Sequence, residues 1–179
     1  MTKKSIIATC YFNHKNIKGI IDLSEDLIEN KVIIKGQLKS NKYKNSYHGF
    51  HIHEAGDLSD NCDGACSHFN PYNENHGDLN SHNSHLGDLG NIYFDNNGIS
   101  NINLITHNIK LRGTKTNIIG RSIVIHLNKD DLGLGNVKDS LTTGNAGPRI
   151  TCAVIGYSKK MFNKKTLKSN KTLKSNKTL

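Results

Sequence analysis

From residue 5 to residue 158 the chain runs in short stretches of alternating apolar and polar residues, closed by Gly, Asn or Asp, and helix signals are nearly absent. A period of two sends successive side chains to opposite faces, so these stretches read as strands with one buried face. Strands are predicted at residues 5–12, 17–23, 31–38, 47–53, 90–95, 99–105, 121–127 and 149–157, with Asp95-Asn96-Asn97-Gly98 as a hairpin turn. Eight antiparallel strands suit an all-β Greek-key sandwich or flattened barrel. Two intervals, 54–89 and 128–148, are too long for hairpin loops, and loops of that size in a compact domain usually carry function.

A chain of 179 residues has room for one domain and a tail. We place the domain at 1–160. The tail, 161–179, repeats Lys-Thr-Leu-Lys-Ser-Asn and reads as a disordered, lysine-rich extension. It holds six lysines and no acid, so most of the formal charge of +9 lies there and the domain is close to balanced. That argues against a nucleic-acid partner. No run of about 18 apolar residues is present to cross a membrane. The first ten residues contain no secretory apolar run, so the expected location is the cytoplasm.

Ten histidines, most of them between His48 and His126, are the strongest anomaly of composition. In Gly49-Phe50-His51-Ile52-His53 the two histidines stand at i and i+2, on one face of a strand, with Phe50 and Ile52 on the other. Two imidazoles converging without backbone distortion suit a transition metal. His126 ends a second strand, and His68, His76, His85 and Asp88 lie in the long loop between. Six histidines and a carboxylate exceed one tetrahedral zinc site and favour two sites or a shared ligand.

These residues carry a resemblance. The runs Gly49-Phe50-His51-Ile52-His53-Glu54, His68-Phe69-Asn70-Pro71, His85-Leu86-Gly87-Asp88-Leu89-Gly90-Asn91, Asp130-Asp131-Leu132-Gly133 and Gly144-Asn145-Ala146-Gly147-Pro148-Arg149 resemble the copper/zinc superoxide dismutases. The resemblance implies one copper and one zinc ion per subunit, copper on His51, His53, His68 and His126, and zinc on His68, His76, His85 and Asp88. His68 then bridges, and Asp130 links His51 to His76 from outside the ligand sets. It implies dismutation of superoxide to dioxygen and hydrogen peroxide, with His68 taking up and handing on a proton. Arg149 would attract the anion, with Thr143 forming the opposite wall of the channel.

The resemblance further implies a disulfide between Cys62 and Cys152, a free core thiol at Cys10, and a homodimer through Tyr11, Ala55, Gly56, Ile118, Ile119, Gly120, Val154 and Tyr157. A copper-delivery chaperone is a further expected partner. Cys66 has no counterpart; it could mispair with Cys62, meet an oxidant, or be a passive small residue. Lys138 and Thr142 depart from the charges usual in the second loop. His48 is expected to hydrogen-bond structurally, His82 to lie outside the zinc set, and His14 and His107 to lie on the surface. The alternative function is a metal-binding or metal-buffering module of the same fold without turnover.

Overall fold

The computed structural model describes residues 5–79 and 81–162, so the tail repeat lies outside the described residues. Among the described residues nine strands form, in order β1 (Ser5–Asn13), β2 (Ile17–Asp26), β3 (Lys31–Ser40), β4 (Ser46–His53), β5 (Asp88–Phe94), β6 (Ile99–Thr106), β7 (Ser122–His126), β8 (Arg149–Val154) and β9 (Gly156–Tyr157). They make a five-stranded sheet ordered β6-β3-β2-β1-β9 and a four-stranded sheet ordered β5-β4-β7-β8. Every ladder is antiparallel. Among the described residues no helix is long and apolar enough to cross a membrane.

The alternation does what its period requires. Ala8, Cys10 and Phe12 of β1, Ile21 and Leu23 of β2, and Val32, Ile34 and Leu38 of β3 point inward. They meet Phe50 and Ile52 of β4 and Ile123 and Ile125 of β7 from the opposite sheet. Each such side chain, fully buried, contributes roughly 1.5–3 kcal/mol.

Two expectations are corrected. The last predicted strand is two strands, because the chain changes sheets at Ile155. That residue is fully buried, its N–H donates to Arg121 O at 2.8 Å, and its carbonyl accepts from the Gly120 N–H at 2.9 Å. The turn at 95–98 does form, with the Gly98 N–H donating to Asp95 O at 3.0 Å, but β5 and β6 belong to different sheets. The turn therefore folds one sheet over the other, and the body is an open sandwich.

Candidate metal centre

His51 and His53 sit on the face of β4 away from the core, as does His126 at the end of β7. Ladder irregularities occur between Gly49 and His51 and between Ile125 and His126. Bulges of this kind bend a strand and re-aim a side chain, and these lie beside candidate ligands.

The long loop after β4 doubles back and is stitched to that strand. The Ile52 N–H donates to Gly87 O at 2.8 Å, the Phe69 N–H to Ile52 O at 2.9 Å, and the Gly87 N–H to Phe69 O at 2.9 Å. His68 thereby faces His53 across an isolated bridge, and the chain delivers His85 and Asp88 to the same place. The second loop is pinned likewise, by Asp131 N–H to Gly144 O and His76 N–H to Leu141 O, both at 2.8 Å.

Two adjoining groups converge tightly enough to hold a metal ion. One is His51, His53, His68 and His126; the other is His51, His68, His76 and Asp88. Around Asp88 Oδ1 of the second group stand three Nδ1 atoms, those of His68 at 2.9 Å, His76 at 3.0 Å and, from outside the group, His85 at 3.3 Å, and His85 Nδ1 stands 3.4 Å from His68 Nδ1. A tetrahedron with metal–ligand bonds of about 2.0–2.1 Å has edges of about 3.3–3.4 Å, so these donors need little movement to close on an ion. His51 belongs to this group as well, its Nε2 engaged by Asp130 at 2.7 Å, so five side chains, His51, His68, His76, His85 and Asp88, meet here.

The hydrogen bonds decide which nitrogens stay free. His53 Nδ1 donates to Cys66 O at 2.8 Å and His126 Nδ1 to Gly147 O at 3.0 Å. Asp130 accepts from His51 Nε2 at 2.7 Å and from His76 Nε2 at 2.8 Å. A histidine donating through one nitrogen offers the lone pair of the other. His51 Nδ1 and His68 Nε2 are buried with no hydrogen-bond partner, a costly state unless something else binds them, while His76 Nδ1 lies 3.0 Å from Asp88 Oδ1. The donor set fits imidazole-loving copper beside an N3O zinc site.

Burial, reinforced by neighbouring imidazoles, pushes His53 down to about 2. Burial also lowers His126, to about 4, against the pull of the Gly147 carbonyl. His51 and His68 are lowered by the same burial. These rings are neutral, as ligands must be. His76 differs: burial lowers it, but bonds to Asp130 and Asp88 outweigh that and lift it to about 9. Burial pushes both carboxyls up, yet their histidine bonds hold Asp88 and Asp130 well below the usual carboxylate range.

A cleft of about 410 Å³ opens on the first group, lined by His53, His68, His126, Asp139, Thr143 and Arg149 among others. Thr143 ends a single helical turn, Ser140–Thr143, and its hydroxyl donates to Asp139 O at 3.1 Å. The Arg149 guanidinium is held by the carbonyls of Cys62, Asp63 and Cys66, the last at 2.5 Å. A family model described as copper/zinc superoxide dismutase (SODC) matches residues 17–155.

The chain belongs to the copper/zinc superoxide dismutase family. It is 52% identical over 146 residues to the superoxide dismutase [Cu-Zn] of Paramecium bursaria Chlorella virus 1, covering 82% of this chain and 76% of that one. It is 44% identical to superoxide dismutase [Cu-Zn] 5 of Dictyostelium discoideum, covering 85% and 98%. The crystal structure of the clock protein EA4 superposes with a TM-score of 0.79 at 40% identity, covering 88% of this chain and 97% of that one. Copper and zinc are the cofactors of the family, and superoxide is its substrate.

The disulfide between Cys62 and Cys152 is present, while buried Cys10 and exposed Cys66 are free. His48 is buried and satisfied, Nδ1 donating to His126 O at 2.9 Å and Nε2 accepting from the Ser46 hydroxyl at 2.8 Å. His82 and His107 are exposed, and His14 is half-buried, its Nδ1 accepting from the Asn16 N–H at 3.4 Å. The sequence reading missed three participants. The Cys66 carbonyl holds both His53 and Arg149. Asn91 grips the Asp130 backbone. At Gly144 a Cβ would stand 1.9 Å from Asp130 Oδ1. Asn91 and Gly144 lie inside the quoted runs, but no local pattern marks their task.

Proposed function

We propose that this chain dismutates superoxide to dioxygen and hydrogen peroxide, with copper on His51, His53, His68 and His126 and zinc on His68, His76, His85 and Asp88. The observation carrying this assignment is the position of His68. Its Nδ1 faces the Asp88 group while its Nε2 is buried without a hydrogen-bond partner. Bound there, copper supplies the one-electron redox change that dismutation requires, and zinc a fixed charge beside it.

The protein's own groups do the rest. Arg149 presents a permanent positive charge to a small anion entering the cleft, and its three carbonyl contacts fix the fork in place. Thr143 narrows the opposite wall. His68 Nε2 is the atom at which a proton is taken up and passed to the product. Asp130 fixes the rings of His51 and His76 together. Superoxide consumption by protein loaded with copper and zinc, against protein carrying zinc alone, tests this reading. Copper-dependent turnover is expected, and stoichiometric metal without turnover would favour the metal-buffering module.

Further readings belong to the same proposal. An antioxidant homodimer is supported by exposed Tyr11, Val154 and Tyr157 along the expected face, although Ile118 is fully buried and offers no surface there. Light scattering reads the mass. A cytoplasmic location is consistent with the exposed free thiol of Cys66, and cell fractionation checks it. Because the four ligands of the copper set are at most 4% exposed, loading by a copper-delivery chaperone is expected to outpace loading by free copper.

A further inference from the structure

On the outer face of the five-stranded sheet, β2 and β3 pair Lys18 directly with Lys39. Like charges set directly opposite each other weaken a strand pair. Lys15, from the turn between β1 and β2, adds a third lysine, and Asn16 and Asn41 complete the lining of a cleft of about 230 Å³. No carboxylate lines it. Among the described residues none of the three lysines forms an ion pair. On the same sheet face Asp22 is already engaged by Lys160 at 2.5 Å.

The rim is organised. The Asn41 N–H donates to Asn16 O at 3.2 Å and Asn41 Nδ2 to Lys15 O at 3.3 Å, tying the end of β3 to the β1–β2 turn. This cleft shares no lining residue with the metal cleft. Three lysines around one cleft with no carboxylate in its lining suit a compact, multiply charged oxyanion.

We propose that this cleft binds a phosphate group through Lys15, Lys18 and Lys39, with Asn16 and Asn41 contributing at the rim. Phosphate offers close to two negative charges and several acceptor oxygens, enough to relieve the opposed Lys18 and Lys39 at once. The cleft is open, so the group could be free phosphate or the exposed phosphate of a lipid headgroup.

The test uses the full chain loaded with copper and zinc and follows the backbone amide resonances of Asn16, Lys18, Lys39 and Asn41. Inorganic phosphate is titrated against chloride at matched ionic strength. Saturable shifts at these amides with phosphate alone are expected, with affinity at least about tenfold weaker in K18Q/K39Q. That variant removes a destabilising like-charge pair, so its thermal midpoint is expected to hold or rise and its superoxide turnover to stay unchanged. Equal shifts in chloride, shifts confined to amides around Arg149, or shifts unchanged in K18Q/K39Q would overturn the proposal. Vesicles of phosphatidylcholine with and without a phosphoinositide separate the sources. Sedimentation that needs the phosphoinositide and fails in K18Q/K39Q assigns a headgroup; saturable phosphate shifts without vesicle binding assign free phosphate.

Discussion

Asn91 and Asp130 hold each other by two reciprocal bonds. Asn91 Nδ2 donates to Asp130 O at 2.9 Å and the Asp130 N–H donates to Asn91 Oδ1 at 2.8 Å. Asp130 in turn receives one bond from His51 and one from His76. Removing such supporting carboxylates costs about 10–100-fold in metal affinity. Asp130→Ala is expected to weaken zinc retention by that amount, and Asn91→Ala by less, because the carboxylate remains but loses its anchor. Chelator competition with a zinc-sensitive dye reads both. Unchanged zinc affinity in Asp130→Ala would refute the linking role.

Gly144 is confined by the same carboxylate. Its φ is +64°, and a Cβ would lie 1.9 Å from Asp130 Oδ1 and 2.4 Å from His76 Nε2. Gly144→Ala must push Asp130 off His76, so a fall in stability of about 1–3 kcal/mol is expected together with loss of zinc. Thermal melts with and without zinc should converge in the variant, whereas the wild-type pair stays apart.

Cys66 occupies φ 63°, ψ −150°, a region held almost solely by glycine. Only its carbonyl is used by His53 and Arg149, and the thiol is exposed. Cys66→Gly should therefore stabilise the protein, by about 1 kcal/mol, and leave turnover intact. Cys66→Ala, which keeps the strained backbone, should gain nothing. Chemical denaturation of the three proteins side by side decides the matter.

The Cys62–Cys152 bond closes 90 residues of chain and holds the Cys62–Cys66 segment, whose carbonyls orient Arg149, to β8. By the chain-entropy model its loss costs roughly 4–5 kcal/mol. Cys152→Ser is expected to lose turnover out of proportion to metal, because Arg149 depends on three carbonyls of this segment whereas, of the copper group, only His53 depends on one of them. Activity per bound copper is the quantity to compare.

The metal-free protein should be acid-labile. His53 and His126 titrate at about 2 and about 4 when folded but near 6.5 when unfolded. Below that value the unfolded chain binds more protons, so folding stability falls as pH drops from about 6.5 towards 4. His76 works the other way. Raised to about 9, it adds stability that is full below about 6.5 and lost as pH rises through 9. Burial-lowered His51 and His68 act in the same sense as His53 and His126, so four rings oppose one. Thermal midpoints of chelator-treated protein should fall between pH 7 and 5.

The strands were legible because each needs only its own alternation. So was the supply of candidate ligands: His51 and His53 share a strand face by simple parity, His68, His76 and His85 fall in one long interval, and His126 ends another strand. The split of the last strand was not legible. Ile155 continues the alternation unbroken, and only its bonds to Gly120 and Arg121 reveal the change of sheet. The opposed Lys18 and Lys39 are equally invisible in one dimension, because register is a property of two strands.

Sequence alone determined the strand pattern, the supply of candidate ligands and, by resemblance, the family, since each rests on residue type at short spacing. Tertiary structure decided what lies next to what. Asp130 between His51 and His76, the Cys66 carbonyl shared by His53 and Arg149, and His68 facing both groups all join segments distant along the chain. Such closures depend on two loops folding back onto one sheet, and the buried hydrogen bonds that pin those loops have no local periodicity to betray them.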